Sequence, residues 1–92
     1  MLNFEQLNDK ISSKGYRRTT TARTFYDENG NGLKVYDYEH RKKLDMFSVY
    51  LNEYGSVEYA EFTKVDFNQE TRKFSQQVKR AKDTQSILKL LG

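Results

Sequence analysis

Cysteine, proline and tryptophan are absent from this sequence, and histidine occurs once, at His40. Without cysteine there is no disulfide and no thiolate metal site, and one histidine cannot supply a metal-ligand spacing. The sequence therefore implies no cofactor and no metal. No glycine-rich loop of the kind that cradles phosphates is present. No apolar run approaches the ~20 residues needed to span a bilayer, so no membrane partner is expected. The opening Met-Leu-Asn-Phe-Glu-Gln lacks the basic region and apolar stretch of a secretory signal, which makes the expected location cytoplasmic. The missing proline and tryptophan, beside plentiful Lys, Asn, Tyr and Phe, suit an AT-rich bacterial or phage genome.

Apolar residues are also scarce. They make up 36% of the 92 residues, and the mean hydropathy is −0.95. A single domain of this size, residues 1–92, buries only about 60–65% of its unfolded surface. Thirteen aromatic residues partly compensate, since each buried ring removes roughly 150–250 Å² from water. A thin core of this kind makes self-association, as a homo-oligomer, an expectation.

Charge is sorted along the chain. Positions 1–23 carry a net +3, positions 24–66 a net −4 and positions 67–92 a net +4, within a total of +3. Basic termini around an acidic middle can present one surface to a polyanion and another to a different partner.

Local patterns give an α+β chain in the order α-β-β-β-β-α, an antiparallel meander of three to four strands flanked by an N-terminal and a C-terminal helix. Phe4, Leu7 and Ile11 recur at helical spacing, Asn3 and Gln6 form a capping-box pair, and Gly15 supplies the stop. Tyr16 to Tyr26 is dense in β-branched and aromatic residues and predicts one strand. Two Asn-Gly pairs in residues 27–32 predict a hairpin turn into a second strand over Leu33–Glu39. Further strands are expected over Leu44–Asn52 and Val57–Val65. In the third strand Phe47, Val49 and Leu51 face one way while Leu44, Met46 and Tyr50 face the other. Either a second subunit covers that other face, or tyrosines line it in solvent. Asp66 or Asn68 is the expected cap of a closing helix over Gln69–Leu91, with Phe74, Val78, Ala81, Gln85 and Leu88 as its core stripe. Ile87 and Leu90 point away from that stripe, which calls for a break near Asp83–Ser86 or apolar cover on two sides.

Four features bear on function. The first is a set of cations: Arg17, Arg18 and Arg23 beside Lys14, then Arg41, Lys42 and Lys43, then Arg72, Lys73, Lys79, Arg80 and Lys82. Residues 67–92 hold six cations against two anions, which points to an outside anion such as a phosphate backbone. The second is seven tyrosines, among which Tyr36 and Tyr38 share a sheet face with Lys34 and are candidates to stack bases. The third is His40, the one residue able to serve a Ser-His-Asp or general acid/base site, set in a turn between Glu39 and Arg41. The fourth is the acidic middle, with Asp37, Glu39, Asp45, Glu53, Glu58, Glu61 and Asp66 on or beside strands; it protects sheet edges or docks a basic protein.

The element order resembles that of small α-β-β-β-α nucleic-acid folds, which include double-stranded RNA-binding domains and a class of small RNase toxins. The resemblance is one of topology; this chain has one strand more and lacks the Gly-Ser-His run of those toxins. The leading expectation is a non-catalytic nucleic-acid-binding module, RNA ahead of DNA. By type it suits a regulatory, antitoxin or phage counter-defence role. The alternative is a protein-binding inhibitor or adaptor that uses the Tyr-rich acidic sheet, and the third reading is a small RNase that uses His40.

Overall fold

A computed structural model describes residues 3–19 and 21–92. The chain opens with helix α1 (Phe4–Ser13), runs through strands β1 (Tyr16–Arg18), β2 (Arg23–Tyr26), β3 (Gly32–His40), β4 (Met46–Leu51), β5 (Val57–Asn68) and β6 (Lys73–Ala81), and closes with helix α2 (Thr84–Leu91). All six strands belong to one antiparallel sheet in which β3, β4, β5 and β6 are successive neighbours. Both β1 and β2 pair with the outer side of β3.

Local chemistry sets the element ends. Asn3 and Gln6 close a reciprocal capping box at the start of α1, satisfying two backbone N–H groups that the first turn leaves unpaired. Gly15 follows at φ +94 and turns the chain into β1. Loops 27–31 and 52–56 share one construction. In each, an Asp or Asn side chain (Asp27, Asn52) accepts two backbone N–H groups from its own loop. In each, the fourth residue is a glycine at positive φ, Gly30 or Gly55.

Two features differ from the sequence-based expectation. The single strand expected over residues 16–26 is two strands, because five steps of chain from Arg18 to Arg23 cover only three of β3, from Tyr38 to Val35. The long closing helix does not form over residues 69–81. A turn and the edge strand β6 stand there instead, paired with β5 from Asn68↔Lys73 to Ala60↔Ala81. Asn68 caps that turn, accepting from the Glu70 and Thr71 amides, and the helix begins only after its own cap, Asp83. The sheet therefore has six strands rather than three to four.

Both helices lie on the same sheet face. Leu7 and Ile11 of α1 and Ile87 of α2 pack with Tyr16, Tyr38, Phe47, Val49, Leu51, Ala60 and Ala81 in one cluster. Burying side chains such as Phe47 or Leu7 stabilises the fold by about 1.5–3 kcal/mol each. The opposite face carries no helix and holds a smaller cluster of Leu33, Val35 and Tyr50 beside Tyr59. Beyond the Thr63↔Val78 pair, β5 and β6 outrun β4 and project as a two-stranded ribbon.

Candidate nucleic-acid interface

Antiparallel pairing gives the sheet two ends. One carries loops 27–31 and 52–56; the other carries β1, the turn after His40 and the ribbon. Both helices run the same way along it. Their N-termini flank one cleft, where Phe4 and Leu7 meet Val57, Asp83, Thr84 and Ile87. Near their C-termini, Lys14 Nζ donates to the Gly92 carbonyl at 2.9 Å.

This topology converts a charge order along the chain into a charge separation in space. The loop end holds Glu5, Asp27, Glu28, Glu53, Glu58 and Asp83 against Lys34 and Lys82. The ribbon end holds Lys10, Lys14, Arg17, Arg18, Arg41, Lys42, Lys43, Lys64, Arg72, Lys73, Lys79 and Lys89 against Asp9, Glu39, Asp45, Asp66 and Glu70. Acids thus sit at helix N-termini and lysines at helix C-termini, the favourable sense for both helix dipoles. Among the described residues the only ion pairs are Arg23–Asp37 at 2.7 Å and Arg80–Glu61 at 3.1 Å. Among the described residues, none of the twelve cations at the ribbon end lies within pairing distance of an Asp or Glu carboxylate.

Those two pairs occupy the middle of the helix-free face. Burial pushes the Asp37 carboxyl up, but hydrogen bonds from Arg23 and Ser48 outweigh it and hold the group below the usual carboxylate range. The Glu61 hydrogen bond raises Arg80, whose guanidinium lies 4.2 Å from the centre of the Tyr59 ring. Arg23 and Arg80 are therefore already satisfied inside the fold and do not join the free cations. Lys82 lies in the short link to α2, at the acidic end. The other nine cations expected from sequence, Lys14, Arg17, Arg18, Arg41, Lys42, Lys43, Arg72, Lys73 and Lys79, lie on the ribbon side of the central Asp37–Ser48–Glu61–Arg80 row, with the Arg18 guanidinium turned over Tyr36. Lys10, Lys64 and Lys89 join them, although nothing in the sequence says that their elements point the same way.

The tyrosine expectation needs correction. Tyr38 is fully buried, its hydroxyl donates to Asn8 Oδ1 at 2.8 Å, and burial pushes its phenol up to about 12. It has no ring face to offer a base. Tyr36 is stacked on Phe4 at 4.7 Å, with Arg18 and Lys34 also over its ring, so its surface is largely spoken for.

His40 acts as a turn residue. Its Nδ1 accepts the Lys42 and Lys43 backbone N–H groups at 3.0 and 3.1 Å, its ring meets Tyr16 edge-on, and a Cβ on Gly15 would lie 2.8 Å from its Nε2. These contacts fix the Arg41–Lys43 turn in place. Among the described residues no cluster of three or more potential metal ligands occurs, and no helix is long and apolar enough to cross a membrane.

One residue of the ribbon departs from ordinary backbone chemistry. Arg72, at the tip, has φ +55, and it is the sole non-glycine residue at positive φ among those described. A left-handed conformation costs an L-residue about 1–2 kcal/mol, which glycine avoids. Comparison with known proteins finds no matching family, no matching curated protein and no matching solved structure.

Proposed function

We propose that this chain is a nucleic-acid-binding module that grips phosphodiester backbone with its ribbon end and does no chemistry on it. The observation that carries the reading is the collection of twelve cations at one end of the sheet, none of them paired with an Asp or Glu among the described residues. Like charges gathered this way repel and weaken the compact state unless an anion answers them. Arg72 adds to the argument: a strained conformation retained at an exposed tip is a mark of function, and the side chain it keeps there is a cation. The ribbon itself carries Lys64 and Lys73, with Asp66 between them, on the side of the helices, and Lys79 follows on that side where β6 joins the body of the sheet. A two-stranded ribbon also fits the major groove of B-form DNA.

With the Tyr36 and Tyr38 rings occupied, and the exposed Tyr26 and Tyr54 at the acidic loop end, binding rests on phosphates and discriminates weakly among base sequences. Contact with roughly four to six phosphates gives a log–log salt slope of about −3 to −4 on a single strand. Fluorescence anisotropy of labelled single-stranded RNA, single-stranded DNA and duplex DNA across a salt series tests this. The expected result is the steep slope on single-stranded RNA, with the other two probes reporting how far the grip depends on strand type. Salt-independent or absent binding to all three would overturn the reading.

A further inference from the structure

The helix-free face of the sheet is an interaction surface, and we infer that its occupant is a second copy of this chain, packed face to face with its strands running the opposite way. Exposed apolar side chains collect on this face. Phe25 is 38% exposed, Met46 43%, Phe67 46%, Val78 58% and Phe74 65%. With roughly 200 Å² for a large side chain, they leave about 450 Å² of apolar surface in water. A standard interface buries about 800 Å² per partner, of which roughly 55–65% is apolar, so the surface matches what one stable partner removes. The ribbon shows the same polarity along its length: Phe67 and Phe74 are directly paired on this face, while Lys64 and Lys73 lie on the other. The inferred contact therefore leaves most of the cations of the ribbon end uncovered.

Two features select a second copy as the occupant. The first is charge. One end of the sheet has six acids against two bases and the other twelve bases against five acids. An antiparallel pair sets each acidic end against a basic end, whereas a parallel pair sets like against like. The second is spacing. Thr63 lies four residues from Tyr59 and four from Phe67, about 13 Å each way at the ~3.3 Å rise of a strand. A two-fold axis lying across the strands at the Met46–Thr63–Val78 row brings the Phe67–Phe74 ring pair of each copy over the Tyr50–Tyr59 ring pair of the other. Such a contact is self-complementary, as a closed dimer requires. The central Arg23–Asp37 and Arg80–Glu61 pairs are already joined, so covering them strands no charge.

Sedimentation equilibrium of the full chain, treated with nuclease and run across a micromolar concentration series, tests the inference. The native chain is expected to dimerise, and Phe74→Glu to raise the dissociation constant at least tenfold. Phe74 is mostly exposed, so the variant keeps its fold, which far-ultraviolet circular dichroism checks; Phe67→Glu serves as the second variant. A native chain that stays monomeric throughout, or a dimer indifferent to both substitutions, would overturn it. Orientation is read separately in this cysteine-free background. A mixture of Tyr54→Cys and Thr71→Cys chains should cross-link between the two variants. Efficient cross-linking of Thr71→Cys with itself would indicate parallel packing and overturn the arrangement.

Discussion

Replacing Gly15 with alanine should disturb the molecule at the point where α1, β1 and the basic turn meet, and its cost separates into two parts. Gly15 sits at φ +94, outside the comfortable range of an L-residue, so alanine there costs about 1–2 kcal/mol in backbone strain. The added Cβ also lands 2.8 Å from His40 Nε2. The imidazole cannot simply swing aside, because its Nδ1 holds two backbone N–H groups and its ring abuts Tyr16 at 4.9 Å. Displacing it forfeits two hydrogen bonds, each worth about 0.5–1.5 kcal/mol. The total is about 2–5 kcal/mol, a large share of the roughly 5–14 kcal/mol expected for 92 residues. At about 4–8 °C per kcal/mol, Tm should fall by at least ~8 °C. A double-mutant cycle with His40→Ala isolates the collision. In that background Gly15→Ala should cost only the strain, about 1–2 kcal/mol, leaving a coupling of at least ~1 kcal/mol. Equal costs in both backgrounds, measured by urea unfolding, would refute the contact. Since this knot also holds Arg41–Lys43 in position, the single variant should bind RNA more weakly as well.

Arg72→Gly should trade binding for stability: removing the left-handed arginine raises stability by about 1 kcal/mol by thermal melt, while the salt slope on RNA shrinks by about 0.7. A variant that gains stability with unchanged slope would show that the tip does not touch phosphate. Alkaline pH should unfold the protein. Burial pushes both the Tyr38 and Tyr50 phenols up to about 12, so the native state keeps protons that the unfolded chain sheds near pH 10. Their contribution, about 2–3 kcal/mol each, is complete below pH 10 and is lost between pH 10 and pH 12, which tyrosinate absorbance against circular dichroism will follow. Independent titration of all tyrosines near pH 10 without unfolding would contradict this. At the other extreme, Asp37 is held below its ordinary range, so its contribution is present above about pH 4 and disappears as acid protonates it. Asp37→Asn should therefore lower stability at neutral pH by about 1–3 kcal/mol and flatten acid unfolding over that window.

What could be read from sequence was whatever depends on neighbours in the chain. The Asn3–Gln6 box, the Gly15 stop and the Asn-Gly turn all act over a few residues, and all are present. The alternation of Phe47, Val49 and Leu51 against Met46 and Tyr50 also holds, with the first set in the core. The closing segment misled because Phe74 and Val78 are four apart, a spacing that shares a face in a helix and in a strand alike. The shortage of carboxylates over residues 72–82 fitted an exposed basic helix; in fact those residues form a sheet edge, and Arg80 finds its partner across the ladder. That pairing, and the Arg23–Asp37 pair, depend on register between residues 19 and 14 apart, which local pattern cannot reveal. Burial of Tyr38 likewise depended on Asn8 and α1 covering it. The gathering of cations at one end required knowing that both helices run in one direction.

The most direct test of that charge separation is a map of backbone amide shifts as a short single-stranded RNA is added to the labelled protein. Perturbations are expected in β1, in the Arg41–Lys43 turn and in the ribbon around Arg72 and Lys73, with loops 27–31 and 52–56 unmoved. Shifts centred on those acidic loops, or none at low salt, would contradict it.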